Sequence, residues 1–553
     1  MKKITTAFIL LFIICISFGG CSESNSKFEN RVIIGINSDV TTFNPLFAFN
    51  MNEGNVIELI YLGLIGHGWD EDSGELTSFP LLAESWEWVD DSQSIIFDLR
   101  DDVYWSDSVK FTAEDVVFSF DLYSDPVVQS RFFGAFENYF TNPDYSIDLE
   151  KSFEILSPQK IKFNFKPGAV PSLSDIDMLI LPKHIFGEIN REDLATVEEN
   201  FNPVGTGPYE LSAWLKNQSI ILKLNKNSFL AKENSVEEIV FKIIPDYNSR
   251  ILQLKNQEID FLEYIRFDDL NELKNTDYLD FALQKGRNYD YIGWNNISPE
   301  EFEEGGNIVP HKLFGNKNVR RALTHAINRE LILQEFLGNY GELSSGPIAP
   351  IFKWAINKDI KPYGHDPGLS KKLLQESGWV DLDKDGVREN NGIEFTFDLN
   401  VPGGHPVRSN IAVIIQNNLR SVGINTNIVT LEPSVLVDQM FQKKLDAWIS
   451  GWVVPIPILL KPFWHSDFES NVPNVASYIS NEIDDLLGKL EKKNSKEELA
   501  DIYKKFQEVI HEDEPVTFLF WIDNIVVFNS RMKNLEINPL GSIHYCWNWT
   551  VED

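Results

Sequence analysis

The sequence predicts an α/β protein built from two or three lobes, and three observations support this fold class. The chain has 553 residues, which is more than one compact hydrophobic core usually accommodates. Hydrophobic residues make up 43% of the chain, which supplies ample core material and argues against disorder. Patterns typical of buried strands also alternate with patterns typical of amphipathic helices, as they do in α/β lobes.

The N-terminus has the composition of a lipoprotein signal peptide followed by a polar tether. Two lysines precede an uncharged apolar run over residues 7–18, and two glycines stand directly before Cys21. The run is too short to span a bilayer, whereas small residues before a cysteine suit a lipoprotein signal peptidase. We expect residues 1–20 to be removed, Cys21 to be acylated and residues 21–27 to be solvated. Phe18 replaces the commoner Leu or Val, which leaves ordinary secretion and an uncleaved anchor open.

Charge and cysteine content argue against several classes of function. The formal net charge of −34 makes nucleic acid an unlikely partner. Cys15 and Cys21 belong to the signal segment and the lipid site, which leaves Cys546 without a cysteine partner. A disulfide within the mature chain is therefore excluded, and a thiolate metal cluster is unsupported. We predict that Cys546 packs as a small hydrophobic residue.

Strand and helix signals follow one another along the first part of the chain. Residues 31–36 are typical of a buried strand, and helical spacing runs over 51–64. Two alternating segments joined by a polar turn predict a hairpin over 84–100. Thr112 is the expected N-cap of the next helix, because Asp115 occupies the capping-box position.

The same alternation continues to the C-terminus. Gly205 and Gly207 form a turn before a strand, and they lack the lysine and the helix that a phosphate-binding loop requires. The remaining expected elements are a strand pair over 161–181, strands over 239–245 and 515–521, and helices over 249–257, 318–329, 410–420 and 497–512.

Several motifs, in one consistent order, carry a resemblance to a known family. The most specific motif runs through residues 82–87, 97–107 and 111–119, and further support comes from 203–209, 319–329 and 445–452. In order and spacing these motifs resemble the peptide- and nickel-type extracellular solute-binding proteins of ABC transporters, represented by the oligopeptide- and dipeptide-binding proteins. The resemblance spans most of the mature chain.

The resemblance implies a periplasmic-binding-protein-like fold. Two lobes would close on a ligand in a central cleft, with an extra inserted domain and two crossover strands between the lobes. The implied boundaries are 28–70, 181–286 and 518–553 for lobe I, 71–180 for the inserted domain, and 287–517 for lobe II.

The resemblance also implies how the protein works. It would be a monomer without a cofactor, would bind a peptide or similar small solute, and would pass it unaltered to the permease subunits of an ABC importer. It would be exported and lipid-anchored to the cell membrane or outer membrane, facing the periplasm or the cell exterior.

Candidate ligand contacts follow from the family pattern, in which the segment after a Gly-Trp pair lines the cleft. The corresponding positions here are Gly451, Trp452, Val453 and Val454, with Trp464 and His465 further along. Both tryptophans could equally be core residues. Further candidates are Phe43 and Asn44 in the early loop, and Tyr289, Trp294 and Asn295 near the first crossing.

One departure from the family pattern bears on the ligand. Peptide-binding relatives place an Asp shortly after the Gly-Trp pair, where it pairs with the α-ammonium group of the ligand. This chain has the apolar segment 453–460 at that point. Because an unpaired buried ammonium group is costly, either another acid such as Asp467 replaces that Asp or the ligand lacks a free amine there.

Other functions have weaker support. Residues 381–386 begin like a calcium loop, but Gly392 stands where a bidentate Glu is required, so we expect a polar turn. The nine histidines show no zinc-type spacing, and no metal site is predicted. Carriage of a nickel chelate, a secreted glycoside hydrolase with two acids and sugar-stacking tryptophans, and an adhesin or receptor that never meets an importer stay open as alternatives.

Overall fold

A computed structural model describes residues 30–468 and 470–552. The expected signal peptide, Cys21 and the tether lie outside the described residues. In the described ranges, every helix is either too short or too polar to cross a membrane.

Most strands belong to one large sheet or to a smaller one. In chain order the strands are β1 (Arg31–Ile36), β2 (Ile65–Asp70), β3 (Glu75–Pro80), β4 (Ala83–Val89), β5 (Ser94–Leu99), β6 (Phe153–Ser157), β7 (Lys160–Asn164), β8 (Tyr209–Leu215), β9 (Ser219–Leu224), β10 (Glu238–Ile243), β11 (Phe261–Leu262), β12 (Leu279–Trp294), β13 (Gly341–Leu343), β14 (Glu389–Asn390), β15 (Ile393–Glu394), β16 (Thr396–Pro402), β17 (Asn425–Leu431), β18 (Ala447–Val453), β19 (Val516–Asn529), β20 (Met532–Lys533) and β21 (Thr550–Val551).

Helices cover the sheets and connect their strands. They are α1 (Met51–Ile60), α2 (Ala113–Ser124), α3 (Leu149–Ser152), α4 (Lys183–Phe186), α5 (Tyr247–Lys255), α6 (Phe267–Leu273), α7 (Pro299–Gly305), α8 (Lys317–Ala326), α9 (Arg329–Phe336), α10 (Pro367–Glu376), α11 (Pro406–Ser421), α12 (Pro433–Phe441), α13 (Lys461–Trp464), α14 (Asn481–Leu490) and α15 (Lys496–Asp513). The mixture of parallel and antiparallel strands with helices confirms the predicted α/β class.

The largest sheet extends through both lobes. Its 11 strands follow the order β17-β16-β18-β12-β19-β11-β1-β10-β9-β8, with β13 paired beside β19. Its two longest strands, β12 and β19, pair with each other in antiparallel register over most of their length. β18 joins β12 near one end of this pair, and β11 joins β19 near the other end. The long strands β12 and β19 are the crossovers that the resemblance implies.

The crossover strands pass from one hydrophobic core to another. Tyr289 and Trp521 pack in a core formed by residues of the predicted lobe II, whereas Leu279 and Ile525 pack with residues 244–273. The strand β19 therefore changes core after Trp521. We propose that the second crossing lies at 522–524, a few residues beyond the boundary that the sequence predicts.

The predicted inserted domain contains a separate sheet of four strands in the order β4-β5-β7-β6. β4 and β5 form the expected hairpin, and Thr112 and Asp115 form the expected capping box at the start of α2. Phe97 on this sheet belongs to the same continuous hydrophobic core as Val32 on β1. The inserted domain and lobe I therefore pack as one body.

One predicted strand pair was wrong. A strand pair is expected over 161–181, but the structure pairs β6 with β7, and the chain after Phe165 forms a turn and then the short 3-10 helix Leu173–Ile176. Pro167 and Pro171 interrupt this segment, because proline has no N–H to donate to a ladder.

Two local predictions are confirmed by close contacts. A Cβ atom on Gly205 would lie 1.9 Å from the Ile60 carbonyl oxygen, and the Gly207 N–H donates to the same oxygen at 2.8 Å. The two glycines therefore form a tight turn against the end of α1, before the strand β8. Cys546 is fully buried, and burial raises the pKa of its thiol.

Candidate ligand-binding site

A large cavity lies where lobe I, the inserted domain and lobe II meet. Its volume is ≈ 1130 Å³, above the range of about 300–1,000 Å³ that typical small-molecule sites occupy. The lobe II wall is the segment after β18, and the residues that contribute to it are Pro455, Ile456, Pro457 and Leu459. The other walls include Glu58, His67, Arg131, Asp175, Asp177 and His544, and Arg287 lines the cavity from the crossover strand β12. Closure of the lobes would therefore enclose a ligand on all sides.

The helix α1 places an acid in the cavity wall. The side chain of Asn50 caps this helix, and Glu53 completes the capping box by accepting the Asn50 N–H. The next turn carries Ile57 and Glu58 into the wall. The Nδ1 atom of His544, from the C-terminal segment, lies 3.0 Å from Glu58 Oε2. A carboxylate and an imidazole from distant parts of the chain thus meet at one point.

A second acid–imidazole pair lies in the wall of the same cavity, close to the first, since the His67 backbone N–H donates to the hydroxyl of Tyr545, the residue after His544. His67 Nε2 on β2 lies 3.1 Å from Asp177 Oδ2, and the Asp177 side chain is 48% exposed. Burial alone would lower the pKa of His67, but the nearby Asp177 carboxylate raises it, and the net pKa lies above the ordinary value. Asp175 lies two residues earlier and accepts from Asn138 Nδ2 at 2.7 Å. The cavity wall therefore holds three carboxylates.

A smaller cavity of ≈ 540 Å³ adjoins the large one between the lobes. The two share Gly54, Glu58, Arg131, Arg287 and Leu540 in their walls, so together they form one elongated cleft. A cleft of this shape suits an extended ligand rather than a single compact ion.

Glu263 is an unusual acid in the wall of the smaller cavity. Its carboxylate accepts a hydrogen bond from the Ser542 hydroxyl, and burial raises the pKa of Glu263 to about 7. The neighbouring Tyr264 phenol has a pKa that burial, with the Glu263 charge, raises to about 12. The folded protein therefore holds a proton at Glu263 in a pH range in which the unfolded chain has lost it.

Stability should consequently fall as pH rises through this range. The unfolded carboxyl loses its proton near its ordinary pKa of 4.5, whereas the folded one retains it up to about 7. Between pH 5 and pH 8, the free energy of unfolding of Glu263→Gln should rise relative to that of wild type by on the order of 1–2 kcal/mol. Thermal unfolding at the two pH values measures this, with the exposed Glu304→Gln as control. Parallel pH profiles for Glu263→Gln and wild type would contradict the assignment.

Two narrow apolar gaps lie beside the large cavity. Trp452, Phe463 and Trp464 line both gaps, together with Tyr289 on β12. Trp452 is half-buried, and its ring meets Phe463 edge-on with 5.1 Å between the centroids. Pro455 and Leu459 line one of the gaps and the large cavity as well. The segment after β18 thus joins an apolar pocket to the cleft.

The structure brings together part of the predicted set of contacts. Trp452, Val453, Val454 and Trp464 line the apolar gaps, and Val453 also lines the smaller cavity. Tyr289 lies with them. These positions remain proposed ligand contacts.

Two other positions from the same segment lie elsewhere. Gly451 lines none of these cavities, because it lies against the bidentate pair of Asp290 and Arg408, whose Nη2–Oδ1 distance is 2.7 Å. A Cβ atom at Gly451 would lie 2.5 Å from Asp290 Oδ1, so this glycine makes room for an ion pair. His465 accepts the Asp467 N–H at Nδ1, and neither residue lines the cleft.

Three predicted contacts lie in the protein core. Trp294 is fully buried, and its indole N–H donates to Thr517 Oγ1 at 3.0 Å. The Asn295 amide donates to the carbonyls of Lys443 and Leu445. Asn44 is fully buried and donates to Asn200 Oδ1 at 2.7 Å. Their polar atoms already have protein partners, so we remove these three residues from the candidate set. Phe43 is also fully buried, edge-on to Trp214.

The residues 381–386 form an exposed polar turn. Carboxylate oxygens of Asp381, Asp383 and Asp385 lie within 4.8 Å of one another, and Gly386 N–H donates to Asp381 Oδ2 at 3.2 Å. The turn lines neither cavity of the cleft. The acids here serve to close their own turn.

Comparison with known proteins identifies the family. The model of the bacterial extracellular solute-binding proteins, family 5 Middle, matches residues 78–471. The chain belongs to this family. The resemblance that the sequence motifs predict is thereby confirmed, and the protein is a binding protein for a solute outside the cytoplasm.

Individual relatives match along nearly the whole chain. The oligopeptide-binding protein AppA of Bacillus subtilis is 27% identical over 578 residues, covering 99% of this chain and 99% of AppA. The structure of AppA in complex with a nonapeptide has a TM-score of 0.73 and 26% identity, covering 95% of this chain and 99% of that one. The structure of NikZ from Campylobacter jejuni in complex with Ni(L-His) has a TM-score of 0.74 and 27% identity, covering 94% and 99%. These likenesses confirm the two-lobed fold.

Proposed function

We propose that the protein captures peptides in the interlobe cleft and delivers them unaltered to an ABC importer. The observation that carries this proposal is the elongated cleft, whose adjoining cavities of ≈ 1130 and ≈ 540 Å³ exceed what a single amino acid fills. The 27% identity to an oligopeptide-binding protein along the full length supports it. A ligand shifts the protein toward the closed form only if it binds that form more tightly, which requires contacts from both lobes. Both lobes line this cleft.

The cleft carboxylates are candidate partners for a ligand ammonium group in place of the missing Asp after the Gly-Trp pair. Asp467 does not line the cleft, whereas Glu58, Asp175 and Asp177 do. Asp175 already accepts from Asn138 and from the Ser172 N–H. Glu58 and Asp177 each lie against one imidazole, that of His544 or His67, but their side chains are 41% and 48% exposed, so each can also pair with the α-ammonium group of a peptide.

Asp177→Asn should weaken binding of a peptide that has a free amino terminus by about 10-fold, because a hydrogen bond to a charged group contributes about 1.5–3 kcal/mol. The N-acetylated form of the same peptide lacks the ammonium group and should lose much less. Isothermal titration of both peptides measures this difference. The exposed Asp501→Asn, on the outer face of α15, serves as control. Equal losses for both peptides would contradict the pairing.

A nickel chelate is the second candidate ligand. Two imidazoles, His67 and His544, line the large cavity, and the buried Nε2 of His544 has no hydrogen-bond partner among the described residues. NikZ, which is 27% identical, was solved with Ni(L-His). Titration with Ni(L-His) separates the candidates, since the peptide proposal expects no saturable heat.

We further propose that the chain acts as a monomeric lipoprotein. Cys21 would carry the lipid, and residues 21–27 would hold the lobes above the membrane surface that contains the importer. The intact mass of the mature N-terminus tests this, since acylation adds the mass of its fatty chains to Cys21. An unmodified Cys21 or an uncleaved leader would overturn it.

A further inference from the structure

The hairpin of β2 and β3 extends from lobe I to lobe II. Its strands pair in antiparallel register over 65–70 and 75–80, and residues 71–74 form the turn at its tip. At the base, Ile65 packs in the core that lobe I shares with the inserted domain. Near the tip, Trp69 packs against the core of lobe II, and its ring meets Phe352 edge-on with 5.8 Å between the centroids. The hairpin therefore contacts the hydrophobic cores of both bodies.

The tip of the hairpin fits closely against the backbone of lobe II. Gly74 donates its N–H to the Asp70 carbonyl at 2.8 Å, and it is buried although it lies in a turn. A Cβ atom on Gly74 would lie 2.2 Å from the Ile351 carbonyl oxygen and 2.5 Å from the Lys353 nitrogen. Both are backbone atoms, which cannot rotate away as the end of a flexible side chain can. Glycine is therefore required for the tip to approach lobe II this closely.

Two polar contacts flank this close approach. Lys353 Nζ donates to the Glu71 carbonyl, and Lys496 Nζ, at the start of α15, lies 2.8 Å from Glu75 Oε2. Both lysines belong to the predicted lobe II, whereas both acceptors belong to the hairpin. The Glu75–Lys496 pair is partly exposed, so it determines which surfaces meet more than it strengthens their contact.

These contacts are separate from the crossover strands. β12 and β19 contribute Gly286 and Ile522 to the wall of the smaller cavity. The hairpin lines the large cavity, through His67 and Leu76, and not the smaller one. Opening of the lobes about the crossovers must therefore separate the hairpin tip from lobe II. A ligand in the large cavity lies against the same hairpin.

We propose that the β2–β3 hairpin, residues 65–80, is a latch that holds the lobes closed and sets the rate at which the ligand leaves. This inference extends the proposed function, because it rests on closure over a ligand and not on the chemistry of that ligand. The contacts of Trp69, Gly74 and Glu75 with lobe II stabilise the closed form and are lost in the open one. They therefore slow dissociation and leave the entry of a ligand into the open cleft unchanged.

The test measures the association and dissociation rates of one peptide on the full mature chain by surface plasmon resonance. The probe is the tightest binder found in a mixed-sequence library of short synthetic peptides. Gly74→Ala should raise the dissociation rate about 10-fold or more, because the added methyl group collides with lobe II in the closed form. The association rate should change by less than about 2-fold.

Gly392→Ala is the matched control. Gly392 lies in the turn between β14 and β15 with a φ of 78°, close to the 71° of Gly74, but a Cβ atom there would meet nothing within 4 Å. Both substitutions place alanine in a left-handed turn conformation, and of the two only Gly74→Ala meets the other lobe. Circular dichroism establishes that each variant is folded. We expect Gly392→Ala to keep the wild-type rates.

The Glu75–Lys496 pair provides a second test that leaves the turn intact. Glu75→Lys and Lys496→Glu should each raise the dissociation rate about 3-fold, because like charges then face each other. The double variant restores an opposite-charge pair and should dissociate at nearly the wild-type rate. A double variant that releases the peptide faster than either single variant contradicts the latch.

Two results with Gly74→Ala would overturn the inference and leave peptide binding intact: dissociation at the Gly392→Ala rate, or a change confined to the association rate. If no peptide of the library binds wild type, the proposed function fails. The latch is then tested on the solute that co-purifies with the protein, weighed by native mass spectrometry. Gly74→Ala should retain clearly less of this solute than Gly392→Ala, and equal retention overturns the latch.

Discussion

Replacing Gly286 with valine should lower the free energy of unfolding by about 2–4 kcal/mol, because the two crossover strands touch at this residue. A Cβ atom on Gly286 would lie 1.6 Å from the Ile522 carbonyl oxygen and 2.6 Å from its carbon. The register of β12 against β19 shifts here, between Gln284 and Asn288. A side chain would force the strands apart where the chain passes between the lobes. Urea unfolding followed by circular dichroism measures the loss.

Gly488→Ala provides the matched control for this substitution. Gly488 lies in α14, and a Cβ atom there would meet nothing within 4 Å. Alanine in an exposed helix should leave stability unchanged or raise it by up to about 1 kcal/mol. If Gly286→Val were as stable as wild type, the strands could separate without cost, and the close contact between Gly286 and Ile522 would not stabilise the fold.

Trp452→Ala should weaken ligand binding about 30-fold, which corresponds to about 2 kcal/mol. The indole lines the apolar gaps beside the cleft and meets Phe463 edge-on. Its removal would open that pocket and take away a large apolar contact from the segment that closes the large cavity. Titration of wild type and variant with the same peptide measures the effect, and Trp452→Phe should retain most of the affinity.

Trp88→Ala separates a loss of binding from a loss of packing. Trp88 is also half-buried and lies 6.1 Å from Phe165 between ring centroids, but it belongs to the sheet of the inserted domain. Its truncation should lower stability and leave affinity near the wild-type value. Affinity of Trp452→Ala equal to that of Trp88→Ala would remove Trp452 from the proposed contacts.

The fold was largely predictable because its signals are local. The capping box of Thr112 and Asp115 and the hairpin over 84–100 depend on neighbouring residues, and both form as expected. The strand pair expected over 161–181 failed because the prolines of that segment outweigh its apolar pattern. Family motifs supplied the two crossover strands, which periodicity alone does not reveal.

The binding site was only partly predictable, because it depends on contacts between distant segments. A tryptophan on a strand looks the same in sequence whether it faces a core or a cleft, and the structure separates Trp294 from Trp452. The acids of the cleft come from two regions of the chain, at Glu58 and at 175–177. The sequence offers no local signal for Asp177, because an exposed acid between the buried Ile176 and Met178 is the ordinary alternation of an extended segment.

Native mass spectrometry of the purified mature protein tests the central claim most directly, because it weighs the ligand that the cleft retains. We expect bound molecules that are released on unfolding and sequence as intact short peptides. Release of a metal chelate, a sugar or another non-peptide solute would contradict it. So would an empty protein that binds no member of a mixed peptide library.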